Sequence, residues 1–127
     1  MCGFCGKYNF KDPKLVVHRL IKAMTEQMIT RGPDDVGIYI NKNIGLGFRR
    51  LSILDIESGH QPICNETGKI WLVANGEIYN YLELKARLTS LGHSFKTKTD
   101  TEVIVHAYEE YGTECLRMFR GMFGFAI

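Results

Sequence analysis

The sequence lacks any stretch suited to leaving the aqueous phase. No apolar run approaches the ~20 residues that a membrane span requires. The opening, Met1-Cys2-Gly3-Phe4-Cys5-Gly6-Lys7, has no basic segment leading into an apolar one, so it does not read as a secretion signal. Charge of one sign is lacking too: 16 Lys and Arg stand against 14 Asp and Glu, with no basic block. That argues against nucleic acid or a membrane surface as a partner. Neither GxxxxGK[ST] nor GxGxxG occurs, so the glycine-rich cradles for nucleotide phosphates are missing and no cofactor is expected in this chain. There is no linker, internal repeat or low-complexity segment. The cytosol is the expected compartment, and there Cys2, Cys5, Cys64 and Cys115 stay reduced. The sequon Asn65-Glu66-Thr67 is then coincidental.

What is present is enough for one domain. The 127 residues are 45% hydrophobic, which suffices for a core. A first strand is expected over 2–8. Asp12-Pro13 reads as an N-cap and first helical residue, and Val17, Leu20, Ile21, Met24 and Met28 recur at helical spacing, so a helix is predicted over 13–30. Strands over 36–40 and 44–48 flank the turn-prone Asn41-Lys42-Asn43, and 51–56 is another apolar, extended segment. A loop over 59–67 precedes a β-rich run over 70–74 bounded by Asn75-Gly76. Helical spacing over 82–91 ends at Gly92. Thr99-Asp100-Thr101-Glu102 has the form of a capping box opening a second helix that Gly112 closes. The run Gly121 to Ile127 is strand-like and ends without a turn or polar tail, from which a truncated domain is expected. Antiparallel strand groups with helices between them predict a layered domain of α and β elements.

Cys2 directly follows the initiator methionine, and its small side chain permits methionine removal. The freed residue would carry a thiol and an α-amine, with pKa values near ~8.5 and ~7.7–8.0 in model compounds. The neutral amine can then take the thiol proton, directly or through one water, so nucleophile and base reside in one residue. The four histidines, His18, His60, His93 and His106, sit in no recognisable triad context. Position alone also fits a small buried cysteine. It equally fits a Cys2-x-x-Cys5 metal or redox pair, although zinc would need two more ligands and Cys64 and Cys115 are lone residues. No metal is expected.

Four further stretches bear on the choice: Arg31-Gly32-Pro33-Asp34, Arg49-Arg50-Leu51-Ser52-Ile53-Leu54-Asp55, Asn75-Gly76-Glu77-Ile78-Tyr79-Asn80 and Thr99-Asp100-Thr101-Glu102-Val103. Read alone, Asn75-Gly76 is a hairpin signal, Arg50 a solvated arginine beside Arg49, and Asp100 a helix cap. With Cys2-Gly3, and with Gly59-His60-Gln61-Pro62 and Gly121-Met122-Phe123 as added landmarks, the set resembles, in order and spacing, the glutaminase domain of glutamine-hydrolysing asparagine synthetases. These are class II amidotransferases of the N-terminal-nucleophile hydrolase superfamily.

The resemblance covers essentially the whole chain and implies an α+β fold, a four-layer αββα sandwich with antiparallel sheets, with residues 2–127 forming the glutaminase domain and continuing further in the family. It implies Cys2 as nucleophile and Asn75 with Gly76 as an oxyanion hole. It further implies Arg50 on the α-carboxylate of L-glutamine, Asp100 on the α-ammonium with Glu77 close by, and backbone groups of Leu51, Ser52, Ile53 and Leu54 along the pocket. Arg31 to Asp34 look structural. The implied partner is a synthetase domain in cis, or a separate acceptor-activating chain, where ATP and Mg²⁺ activate aspartate for amidation. Other acceptors, such as sugars, peptides or other carboxylates, and a non-catalytic module, remain open at this stage. Association of two copies into a homodimer is a further expectation.

Overall fold

The structure is a computed structural model and describes residues 2–52 and 59–127. Its elements run β1 (Gly3–Tyr8), α1 (His18–Glu26), β2 (Asp35–Asn41), β3 (Ile44–Arg50), β4 (Ile63–Cys64), β5 (Trp71–Ile78), α2 (Tyr81–Ser90), α3 (Glu102–Tyr111), a 3-10 helix (Gly112–Met118) and β6 (Gly121–Ala126). Two antiparallel three-stranded sheets form, ordered β1-β3-β2 and β4-β5-β6.

The two sheets pack face to face, with α1 outside the first and α2 and α3 outside the second, which gives the expected αββα layering. Strand periodicity of two builds the layers. In β5, Leu72, Ala74 and Ile78 join Leu84 and Leu88 of α2 and Val103, Ile104 and Ala107 of α3 in the larger core. Trp71 and Val73 point the other way and meet Leu46, Phe48 and Tyr39 of the first sheet. Tyr39 and Trp71 stack across that interface at 4.1 Å between centroids. Phe48 is fully buried there, and truncating such a side chain to alanine costs about 3–5 kcal/mol. On the outer face of the first sheet, α1 lies so close that a Cβ at Gly47 would fall 2.5 Å from Thr25 Cγ2, so glycine is what permits this layer spacing.

Several boundaries differ from the sequence reading. The helix predicted over 13–30 begins only at His18, with Val17 as an extended N-cap, and ends at Glu26. Residues before it are drawn to the β2–β3 turn instead: Val16 N donates to Lys42 O at 2.8 Å and Asn9 Nδ2 to Lys14 O at 2.7 Å. The 59–67 loop contains the short strand β4. Asn75-Gly76 is not a turn, because β5 continues through it to Ile78 in register with β6. The capping box does not form: Thr101, the N-cap of α3, makes no side-chain cap bond. The extended segment expected over 51–56 lies mostly outside the described residues.

Candidate active site

Strands β3, β5 and β6, the residue ahead of β1 and the loops ahead of β4 and α3 converge on a cavity of about 170 Å³ between the sheets. Cys2 stands immediately ahead of β1, β3 delivers Phe48 and Arg50 at its C-terminal end, and β5 delivers Asn75, Gly76 and Glu77. The segment ahead of α3 adds Thr99, Asp100 and Thr101, and Met122 of β6 closes one side. Parity explains why Asn75 belongs here: it continues the row of Trp71 and Val73, which faces the first sheet.

The Cys2 sulfur is fixed by the start of the segment after β3. Leu51 N donates to Cys2 Sγ at 3.3 Å, and Arg31 Nε donates to the Cys2 carbonyl at 3.2 Å. Asp34 completes this support, its Oδ2 accepting from Ser52 N at 2.7 Å and its own N–H donating to Arg50 O at 3.0 Å. The structural reading of Arg31 to Asp34 therefore holds. The metal or redox pairing of Cys2 with Cys5 does not. An offset of three along a strand sends the two side chains to opposite faces: Cys2 packs with the inter-sheet core, whereas Cys5 Sγ lies on the α1 side beside Gly47. Burial raises the Cys5 thiol pKa, with the hydrogen bond to Gly47 opposing it in part.

Gly76 has φ of +137°, and a Cβ there would run into the Met122 carbonyl. Only glycine admits both the conformation and the close approach of β6. Arg50 is 4% exposed, which rules out the solvated-arginine reading. Arg49 is instead the one beside α1, donating from Nε to Thr25 O at 3.3 Å. Asp100 is 8% exposed, and its Oδ2 accepts from Ile78 N at 2.6 Å, so it is anchored to β5 rather than capping α3. Glu77 is exposed at the cavity rim. Of the stretch expected to line the pocket, Leu51 does so; Ser52 does not reach the cavity; Ile53 and Leu54 lie outside the described residues.

Gln61 is a site residue to which sequence reasoning gave no role. Buried beside the cavity, it clasps β5 with both ends of its amide: Nε2 donates to Ala74 O at 3.0 Å, and Ala74 N donates to Oε1 at 2.7 Å. That clasp sets the backbone immediately before Asn75. Its only sequence signal is its place in the Gly59-His60-Gln61-Pro62 landmark. Thr99, Thr101 and Met122 were missed as well, because a wall contributed by a loop and an edge strand leaves no periodic trace.

A family model described as a glutamine amidotransferase domain matches residues 1–127, and the chain belongs to that family. Over its full length it is 45% identical to asparagine synthetase [glutamine-hydrolyzing] 1 of Bacillus subtilis, of which it covers 20%. It is 47% identical to asparagine synthetase [glutamine-hydrolyzing] 2 of the same organism, covering 17% of it, and 42% identical to the rice protein of that name, covering 21%. The chain thus spans about a fifth of the length of these curated relatives. Among solved structures, a glutamine phosphoribosylpyrophosphate amidotransferase of B. subtilis, complexed with ADP and GMP, superimposes with a TM-score of 0.74. That match covers 98% of this chain and 34% of the other at 19% identity, a likeness in fold.

Proposed function

We propose that residues 2–127 form a glutaminase that converts L-glutamine and water to L-glutamate and ammonia, with Cys2 as nucleophile after removal of Met1. The observation that carries this reading is the convergence of Cys2, Arg50, Asn75, Gly76, Glu77 and Asp100 on one cavity. A zwitterionic amino acid asks for a cation at its carboxylate and acids at its ammonium. Arg50 supplies the first through its planar fork, and Asp100 with Glu77 supplies the second.

The Cys2 amine takes the thiol proton, and the thiolate attacks the side-chain carbonyl carbon. The tetrahedral oxyanion is met by the Asn75 side-chain NH₂ and the Gly76 N–H. Collapse expels ammonia, which carries away the proton held by the amine. Water then attacks the γ-glutamyl thioester with the same amine as base, releasing glutamate and restoring the thiol.

Relatives named as glutamine-hydrolysing asparagine synthetases support the onward fate of the ammonia. It passes to a synthetase unit, in cis or as a separate chain in the cytosol, where ATP and Mg²⁺ activate aspartate. The test is glutamate release from L-glutamine by the purified protein, with intact-mass analysis of its N-terminus. Cys2→Ala abolishes release, and Cys5→Ala leaves it largely intact. Full activity in protein that retains Met1 overturns the amine-base mechanism, and equal loss in both variants overturns the assignment of Cys2.

A further inference from the structure

Where α3 meets the loop after β4 and the segment after α2 lies a second cluster of side chains for which glutamine hydrolysis has no use. Glu66 follows β4, His93 follows α2, and His106 and Glu109 sit three residues apart on one face of α3. We propose that these four residues form a structural site for a divalent transition metal of the zinc class, against the sequence-based expectation of no metal.

The geometry is that of a ligand set. One atom from each residue lies within 4.8 Å of all the others. His93 Nδ1 is 3.3 Å from Glu66 Oε1 and 3.9 Å from Glu109 Oε2, and His106 Nδ1 is 3.4 Å from Glu66 Oε2. A tetrahedral ion with bonds of about 2.0–2.2 Å has ligand-to-ligand edges of roughly 3.3–3.6 Å; the two histidine contacts to Glu66, one to each of its oxygens, already stand at that spacing, and the Glu109 contact is slightly longer.

The second observation is His106 itself. It is 1% exposed, and among the described residues its ring nitrogens meet carboxylates only at long range for a hydrogen bond, Glu66 Oε2 at 3.4 Å and Glu102 Oε1 at 3.5 Å. A buried imidazole is poorly satisfied by such long contacts, whereas a metal at Nδ1 would draw Glu66 and His106 together. The opposite nitrogens suit the same picture. His93 Nε2 faces Glu110 Oε1 at 3.1 Å, and His106 Nε2 faces Glu102 Oε1 at 3.5 Å. A carboxylate behind each ligating imidazole is the usual arrangement that fixes the ring and raises its basicity.

Charge points the same way. Glu66, Glu102, Glu109 and Glu110 surround only two imidazoles, and a dication offsets the excess. Two nitrogens with two carboxylates favour a zinc-like ion over Ca²⁺ or Mg²⁺, which take all-oxygen sets. Four protein ligands close the coordination sphere, as in structural sites. Glu66 and Glu109 remain 30% exposed, which leaves the ion a way in. The bound ion would pin the loop after β4, the segment after α2 and α3 to one another.

The test is Zn²⁺ titration of the purified protein at neutral pH in competition with a chromophoric chelator, followed by Co²⁺ substitution. One ion binds per chain, Zn²⁺ raises the melting temperature, and Co²⁺ shows tetrahedral d–d bands without thiolate charge transfer. Glu109→Gln, at a carboxylate 30% exposed, melts like the parent without metal but loses the Zn²⁺-dependent rise, and His93→Gln loses that rise as well. Glu110→Gln weakens binding by ~10–100-fold, as loss of an outer-shell carboxylate does. Absence of binding at micromolar Zn²⁺, a thiolate charge-transfer band, or unchanged affinity in both ligand variants overturns the site.

Discussion

Arg50 and Asn75 face one cavity, yet the proposed chemistry gives them separable effects. Arg50 holds a carboxylate whose charge does not change during the reaction, so Arg50→Lys, which keeps the charge and loses the fork, should raise KM and leave kcat near its parent value. Asn75 serves an oxygen that becomes negative only in the transition state. Asn75→Ala should therefore lower kcat by ~10²–10³ with a small change in KM, as removal of a single oxyanion donor does. Steady-state kinetics on both variants separate the roles, and an Asn75→Ala protein with unchanged kcat would remove Asn75 from the oxyanion hole. The sequence singled out Cys2 by its place after Met1, and Arg50, Asn75, Gly76, Glu77 and Asp100 through the family that their motifs resemble; the fold brings all six to one cavity. What the sequence left open was which reading each would take. Burial of Arg50, continuation of β5 through Asn75, and the Asp100 bond to Ile78 N exclude the solvated-arginine, hairpin and helix-cap readings by packing, which a linear string does not display.

At the scale of elements, the approach to α3 shows how one buried acid replaces a conventional cap. Glu102 is fully buried at the start of the helix. Its carboxylate accepts from Lys96 N at 2.7 Å, from Thr97 N at 2.6 Å and from Thr97 Oγ1 at 2.6 Å, folding the 96–101 segment back over the helix start. The sequence showed an acid at the position of a capping-box glutamate, but these bonds to residues five and six positions earlier were not visible in it. Burial alone would raise the Glu102 carboxyl. The neighbouring His106, the Thr97 hydroxyl and the two backbone N–H groups outweigh that and hold it below the usual 4.5. A carboxyl held low in the folded state binds fewer protons than in the unfolded chain. Its contribution is complete above pH 4.5 and is lost as pH falls through and below that value. Thermal melts should thus show a steep loss of stability below that pH. Glu102→Gln should cost ~1–3 kcal/mol at neutral pH and flatten the acid limb; an acid limb identical to the parent's would show that the carboxylate does not carry it. The late start of α1 has a similar origin. Its periodicity was readable, but the tie from Val16 N to Lys42 O keeps the preceding residues extended.

At the scale of the molecule, the αββα order followed from the resemblance, while the strand order was not readable, since β5 pairs with β6 across α2, α3 and the 3-10 helix. That pairing leaves β6 at the edge of its sheet, with no strand on its outer side among the described residues. The strand is apolar, and Met122 is 56% exposed. Unpaired N–H and C=O groups along an apolar edge form a template for a strand of another copy. The apparent mass of the purified chain should therefore rise with concentration in analytical ultracentrifugation. Gly124 offers a clean way to test the cause. It is exposed within β6, and a Cβ built there meets nothing within 4 Å, so a side chain fits without displacing a neighbour. A lysine at a strand edge opposes edge-to-edge pairing by charge. Gly124→Lys should suppress the association while leaving the melting temperature of the dilute protein nearly unchanged, as open surface substitutions do within ~0.5 kcal/mol. A parent chain that stays monomeric at every concentration would show that the β6 edge is already protected. Association that persists in Gly124→Lys would place the contact on another surface.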